Sequence, residues 1–153
     1  MTVSPRKFNT FSFFKLPAAW WCGVRLKYID NKKAIVTVRH RWINQNPFKS
    51  MFWAVQGMAA EYATGAMVTV QIRTSGKRIS MLVANNNANF SKKATGKITF
   101  TCEDGHLIKE ALDATIATGE GQTFWMKSVG VNEAGITVST FNFEWTVRLK
   151  GER

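Results

Sequence analysis

The sequence predicts an α+β fold in which an antiparallel sheet wraps around one long apolar helix. The longest helix-favourable run, residues 44–68, is mostly apolar, and the predicted strands arrive in hairpin pairs on either side of it. Wrapping a sheet around the helix is an economical way to bury it, and paired strands disfavour a parallel βαβ arrangement. With 153 residues, 45% of them hydrophobic, we expect a single domain over residues 1–153.

The first 22 residues are expected to pack on this domain as an aromatic segment. Phe11, Phe14 and Trp21 are predicted to share one face of a short helix that lies on the domain. Attachment to a membrane surface is the alternative, but residues 8–21 carry only Lys15 as a charge, which favours packing.

Alternating apolar and polar residues predict the strands. A hairpin over residues 24–30 and 34–42, with its turn at residues 30–33, precedes the long helix. The second half of the chain is predicted to hold strands over 79–84, 90–102 (alternating in its second half), 123–132 and 136–150, a polar loop over 85–89 and a short amphipathic helix over 106–118.

The long helix follows a loop at Asn46-Pro47, and Ser50 is its expected N-cap. Residues 67–72 either extend the helix or begin a strand. Gly57 lies in mid-helix, where glycine costs about 1 kcal/mol relative to alanine, so we expect a packing reason for it.

The chain is strongly basic, with 21 Lys and Arg against 10 Asp and Glu, a formal net charge of +11 and a pI of about 10.1. The excess predicts attraction to anions such as nucleic acid, a membrane surface or coenzyme A phosphates; a solvated basic surface is the alternative. No signal peptide or run of transmembrane length is recognisable in the sequence. Cys22 and Cys102 form no CxxC pattern, so we expect two buried thiols in a reducing compartment, with a disulfide as the alternative. We also expect a cytoplasmic protein without a membrane partner.

One motif runs from the loop before the long helix into its middle: Asn46, then Phe52-Trp53-Ala54, then Glu61. Glu61 is the only acidic residue between Asp30 and Glu103. The motif resembles that of many hotdog thioesterases, which carry an Asn, a His-Gly-Gly at the start of a central helix and an acid further along it. With its order of elements, the chain resembles a domain-of-unknown-function branch of hotdog proteins, related to the phenylacetate-pathway acyl-CoA thioesterases.

The resemblance implies hydrolysis of an acyl-CoA thioester in a homodimer or tetramer, with no cofactor beyond the coenzyme A of the substrate. Glu61 would activate water or attack the thioester, and its apolar setting would raise its pKa. Asn46 and the backbone N–H groups near Phe52, Trp53 and Ala54 would polarise the carbonyl. Asn46 and Trp53 would come from one subunit and Glu61 from the other.

Each of these residues also has a structural alternative. Glu61 can be an acid paired with a basic residue, and Asn46 can be a loop former or a cap. Gln56, one helical turn beyond Phe52, either joins the site or faces solvent, and solvent is the favoured expectation. His106 and Glu110 lie one turn apart, but no third ligand accompanies them, so no metal site is expected.

Basic residues near two predicted loops are candidates for binding the coenzyme A phosphates: Arg73, Lys77, Arg78, Lys92 and Lys93. Three other functions stay open. The first is a hotdog protein that binds an acyl or aromatic ligand without turnover. A hydratase or dehydratase is disfavoured because Phe52 replaces the usual His. Nucleic-acid binding is disfavoured because the aromatic residues are predicted on core faces.

Overall fold

The computed structural model describes residues 4–151, so the ends of the predicted domain, 1–3 and 152–153, lie outside it. A short 3-10 turn, Trp42–Asn44, precedes the longest helix. The helices are α1 (Pro5–Lys15), α2 (Pro17–Trp21), α3 (Trp53–Ser75) and α4 (Gly105–Thr118), and the strands are β1 (Arg25–Ile29), β2 (Ala34–Arg39), β3 (Ile79–Phe90), β4 (Lys97–Cys102), β5 (Gln122–Val131) and β6 (Thr137–Leu149).

The strands form one six-stranded sheet in the order β1-β2-β4-β5-β6-β3, and every neighbouring pair is antiparallel. Helix α3 packs against β2, β4, β5 and β6, and α4 packs against α3, β5 and β6. The predicted α+β class, with an antiparallel sheet around a long central helix, is therefore confirmed. Strands β1 and β3 are the two edges of the sheet.

Helix α3 is buried on most of its surface because it is built largely of small and apolar residues. Ala59, Ala60 and Ala63 are inaccessible to solvent and let the sheet approach the helix backbone closely. The helix runs through residues 67–72 and ends at Gly76, whose positive φ of 66° suits glycine and whose N–H bonds to the Arg73 carbonyl.

The predicted N-cap of α3 is wrong. Phe52 occupies the N-cap position, without a capping side-chain hydrogen bond, and the helix begins at Trp53. Ser50 is held instead by Asn46, whose Nδ2 donates to Ser50 Oγ at 3.0 Å. A serine hydroxyl that a neighbouring amide occupies in the loop does not cap the helix.

The predicted polar loop over residues 85–89 is also wrong, since these residues belong to strand β3 and pair with residues 140–144 of β6. Asparagine is a poor strand former in general, but pairing along a whole edge overrides that preference. The side chains also bond across the strands: Asn85 donates to Glu144 at 2.6 Å, and Asn142 donates to Asn87 at 2.9 Å. Polar residues on both faces are tolerated here because the segment lies exposed at the edge of the sheet.

The N-terminal helix packs on the domain through a different face from the one predicted. Phe8 and Ser12 are buried, whereas Phe11, Phe14 and Trp21 are exposed. Polar contacts orient α1. Asn9 exchanges two 2.9 Å hydrogen bonds with the backbone of Leu26, and the Tyr62 hydroxyl on α3 bonds to Ser12 Oγ and to the Phe8 carbonyl. These contacts turn the aromatic side of α1 outwards.

Cys22 and Cys102 are both free thiols, but only Cys102 is buried; the expected burial is wrong for Cys22, which is partly exposed. Burial raises the pKa of Cys102 to about 12, so this thiol stays protonated at neutral pH. Within residues 4–151, no helix has the length and apolar character needed to cross a bilayer.

We predict that Tyr62→Phe lowers the free energy of unfolding by about 1 kcal/mol and raises amide hydrogen exchange in α1, because the lost hydroxyl joins α3 to α1. Tyr28→Phe is the matched control, since that hydroxyl bonds only to Asp30 at the exposed edge. Equal exchange of α1 in wild type and Tyr62→Phe would contradict this anchoring role.

Candidate active site

A cavity of about 560 Å³ lies at the N-terminal end of α3. Its walls come from residues 46–48 and 50–53, from Gln56, and from residues 90–94 at the end of β3 and in the loop that follows it. It therefore brings together several residues that the sequence marked as candidates: Asn46, Phe52, Trp53, Lys92 and Lys93.

Aromatic rings form one side of this cavity. Trp53 meets Phe52 and Phe90 edge to face, with ring centroids 6.2 Å and 6.5 Å apart. Phe90 in turn meets Phe141 of the core at 5.5 Å. The wall is thus continuous with the packed interior, and it suits an apolar or aromatic group of a ligand.

Asn46 is engaged by its own loop. Its Nδ2 donates to Ser50 Oγ and to the Met51 carbonyl, and its Oδ1 accepts from the backbone N–H of Phe48 at 2.9 Å. Both amide hydrogens are therefore used locally. In this arrangement Asn46 shapes the loop that leads into α3. The Asn46 amide could polarise a substrate carbonyl only after giving up one of these loop hydrogen bonds.

Free donors lie close by at the start of α3. The backbone N–H groups of Trp53 and Ala54 have no acceptor among the described residues, as expected for the first positions of a helix. The positive end of the helix dipole adds to their attraction for a developing negative charge.

Gln56 was expected to face solvent, and this expectation is wrong. Only 4% of Gln56 is exposed, it lines the cavity, and its Oε1 accepts a 2.8 Å hydrogen bond from Ser139 of β6. Its Nε2 has no partner in the described part of the chain, so it is a third free donor beside the N–H groups of Trp53 and Ala54. The sequence held one signal for this: Gln56 lies one turn after Phe52, on the face that the cavity occupies.

Glu61 lies further along α3, outside the lining of this cavity. Glu61 lies eight positions after Trp53, which corresponds to about 12 Å along the helix axis. Its carboxylate has neither an ion pair nor a hydrogen bond within residues 4–151. Burial raises the pKa of Glu61 to about 7.

The space around Glu61 is bounded by Gly65 and by Trp145 of β6. A β-carbon on Gly65 would lie 3.0 Å from Glu61 Oε1 and 3.1 Å from the Trp145 ring, so the absence of a side chain there makes room for both. Trp145 is held in place because its Nε1 donates to Thr64 Oγ1 at 2.9 Å. The expected packing reason for glycine therefore applies to Gly65, whereas a β-carbon at Gly57 would make an ordinary 3.5 Å contact with Phe141.

The candidate phosphate-binding residues divide into two groups. Lys92 and Lys93 line the cavity, and Lys93 Nζ donates to the Phe48 carbonyl at 3.2 Å. Arg73 lies at the other end of α3, 20 positions after Trp53, which corresponds to about 30 Å along the helix axis. Lys77 and Arg78 follow it in the turn before β3, so one chain does not gather all five cations.

A second cavity, of about 410 Å³, lies between α3, α4 and the turn that joins β1 to β2, and it includes His106. Within residues 4–151, no three His, Cys, Asp or Glu side chains come together as metal ligands would.

We predict that Glu61→Gln raises the free energy of unfolding by at least about 1 kcal/mol near pH 8 and changes it little near pH 5. The folded-state pKa of about 7 lies above the ordinary 4.5. The stability contributed by the protonated carboxyl is therefore complete below pH 4.5 and is lost as the pH rises through about 7.

Denaturant unfolding at both pH values tests this, with Glu110→Gln on the exposed side of α4 as the control. The same difference between wild type and Glu61→Gln at the two pH values would contradict the raised pKa.

The six-stranded antiparallel sheet around one long helix defines a hotdog protein. The chain belongs to the family described as "Domain of unknown function (DUF4442)", which matches residues 5–147. No curated protein matches this chain in sequence.

Solved structures share the fold over nearly the whole chain. A protein of unknown function from Chlorobaculum tepidum TLS is 18% identical, with 95% of this chain and 94% of that one covered and a TM-score of 0.82. A protein from Pseudomonas aeruginosa described as a probable thioesterase is 16% identical, with 97% and 99% covered and a TM-score of 0.82. A thioesterase from Haemophilus influenzae is 14% identical, with 100% and 96% covered and a TM-score of 0.77. At these identities the likeness establishes the fold alone.

Proposed function

We propose that this protein is an acyl thioester hydrolase that acts on acyl-CoA, with Glu61 as the group that activates water or attacks the thioester. One observation carries the proposal: Glu61 is a partly buried carboxylate on the central helix without a partner in residues 4–151, beside Gly65 and Trp145, and its pKa is raised to about 7. Such a group can accept a proton near neutrality. The structures described as thioesterases that share this fold add support.

In the general-base version, Glu61 takes a proton from a water molecule as the water oxygen bonds to the thioester carbonyl carbon. The oxyanion that forms is stabilised by the backbone N–H groups of Trp53 and Ala54 and by Gln56 Nε2. The carbon–sulfur bond then breaks, and the proton held by Glu61 passes to the leaving thiolate. The products are a carboxylic acid and the free thiol of coenzyme A, and Glu61 is regenerated.

In the alternative version, the Glu61 carboxylate itself attacks the carbonyl carbon, the carbon–sulfur bond breaks, and coenzyme A leaves as its thiolate. Water then hydrolyses the resulting mixed anhydride to the carboxylic acid, which regenerates the Glu61 carboxylate and releases the proton that the thiolate takes up. Both versions consume one water per thioester and need no cofactor beyond the substrate. Asn46 then acts by holding the loop at the start of α3, or by exchanging a loop hydrogen bond for one to the carbonyl.

The proposed site is shared between two copies of the chain, in a homodimer or in a tetramer built from it. Glu61 lies outside the cavity of its own chain, so Glu61 of one subunit would serve Asn46 and Trp53 of the other. Strand β3 supports this arrangement, because it is twelve residues long, lies at the edge of the sheet and pairs only with β6. A long unpaired edge is a template for pairing with another chain, and Trp145, beside Glu61, lies on the strand next to it.

Lys92 and Lys93 are placed to attract the coenzyme A phosphates at the mouth of the cavity. Arg73, Lys77 and Arg78 would take part only if a second subunit brought them near. We place the activity in the cytoplasm, and the two free thiols fit a reducing compartment.

One observation favours a second function, the binding of an acyl or aromatic ligand without turnover. Phe52 and Trp53 occupy the positions where related thioesterases carry His and Gly, and they narrow the approach to the helix start with an aromatic wall. Such a wall binds apolar groups whether or not a reaction follows.

We predict that Leu82→Glu on β3 converts the protein to a monomer. Leu82 is 67% exposed on β3, at the free edge of the sheet. When two copies pair along β3, the substitution puts a negative charge from each copy into the same interface, and the like charges repel. Sedimentation velocity gives the mass in solution. Tyr28→Glu, at the opposite edge on β1, is the control and should leave the mass unchanged; a monomeric wild type would refute the shared site.

We predict measurable release of free thiol from one or more members of an acyl-CoA panel, and a loss of at least about a hundredfold in kcat/KM for Glu61→Gln. Because the carboxylate is the active form, kcat/KM of the wild type should rise as the pH passes through about 7.

Glu110→Gln should retain full activity, as this residue is exposed on α4. Binding of a panel member by calorimetry without thiol release would favour the second function, and unchanged turnover in Glu61→Gln would exclude Glu61 as the catalytic residue.

A further inference from the structure

The N-terminal helices present an aromatic surface that no part of the described chain covers. Its exposed side chains include Phe14, which is 71% exposed, and Trp21, which is 64% exposed. We call the following set the aromatic N-terminal face: Phe11, Phe13, Phe14, Leu16 and Trp21. Large apolar side chains concentrated in so short a segment of a folded surface generally mark an interaction site.

This face is held rigidly against the domain. The buried side of α1 is fixed by the hydrogen bonds of Asn9 to Leu26 and of Tyr62 to Ser12. On the outer side, Phe13 packs edge to face against Phe14 at 4.9 Å and against Trp20 at 5.5 Å. The exposed rings are therefore preorganised and lose little conformational freedom when something binds them.

The segment that carries the aromatic N-terminal face is rich in cations and contains no acid. Residues 1–29 contain five Lys and Arg and no Asp or Glu: Arg6, Lys7, Lys15, Arg25 and Lys27. The Arg25 guanidinium lies 3.4 Å from the centre of the Trp20 ring, and that of Arg73 lies 5.8 Å from the centre of Phe11. The ion pairs found within residues 4–151 involve other cations, so these charges are not neutralised by the chain itself.

We propose that the aromatic N-terminal face binds the surface of a bilayer that contains anionic phospholipid. Aromatic rings favour the boundary between headgroups and acyl chains, and neighbouring Lys and Arg bind the lipid phosphates. With α1 of 11 residues and α2 of 5, the helices lie along the surface rather than crossing it. This proposal does not depend on the proposed thioesterase activity, and each of the two can be tested without the other.

Charge favours an anionic bilayer, rather than a second copy of the chain, as the partner of the aromatic N-terminal face. Two aromatic N-terminal faces packed against each other would bring two sets of unpaired cations together with no acid between them, which opposes association. An anionic lipid surface complements the same charges and accepts the aromatic rings.

Vesicle flotation with the full-length protein tests the proposal. Vesicles of phosphatidylcholine alone are compared with vesicles that also contain about 30% phosphatidylglycerol, each at low and high salt. We expect flotation with the anionic vesicles, reduced by salt, and little with the neutral ones. The double variant Phe14→Ser/Trp21→Ser and the charge variant Lys7→Glu/Lys15→Glu should each weaken the vesicle partition coefficient by about tenfold or more.

Two controls match these variants in kind. Trp125→Ser removes an exposed tryptophan from β5, and Lys150→Glu reverses an exposed charge near the other end of the chain; both should float like wild type. Thermal unfolding of each variant verifies that it is folded. Absence of flotation, equal flotation with both vesicle types or an equal loss in the controls would overturn the proposal. Loss of self-association in Phe14→Ser/Trp21→Ser, with no vesicle binding by wild type, would assign the face to a protein contact instead.

Discussion

The burial of α3 is the constraint on which the rest of this structure depends. Ala60, Ala63 and Met67 are inaccessible to solvent, and the sheet curves around the helix to keep them so. A polar group on the face of this helix that meets the sheet is removed from water, so it must find a partner or change its protonation. Gln56 accepts a hydrogen bond from Ser139, whereas Glu61 has no partner among the residues that the structure describes.

The same burial accounts for the division of the candidate site into donors and an acceptor. The N–H groups at the start of α3 and the Gln56 amide lie together at one cavity, and they attract negative charge. Glu61, which can take up a proton, lies about 12 Å further along the same rigid helix. A helix cannot fold back on itself to join the two, so a mechanism that uses both calls for a second copy of the chain.

The sequence predicted the order of the elements well because apolar alternation and helix length record which faces are buried. It failed at residues 85–89, because pairing with β6 is a long-range interaction that the poor strand propensity of Asn does not reveal. It failed at Gln56 and at Phe11 for a related reason. Whether a residue on a helix faces water or the interior is decided by its neighbours, and the partners Ser139 and Leu26 are distant in sequence.

Strand β6 is joined to α3 at two separate points, by the Ser139–Gln56 and Trp145–Thr64 hydrogen bonds. Two attachments along one strand oppose rotation and sliding of the helix more than a single attachment would. A displacement of Trp53 at the start of α3 would therefore strain the bonds to β6 as well. The geometry of the cavity is in this way tied to the strand that packs beside Glu61.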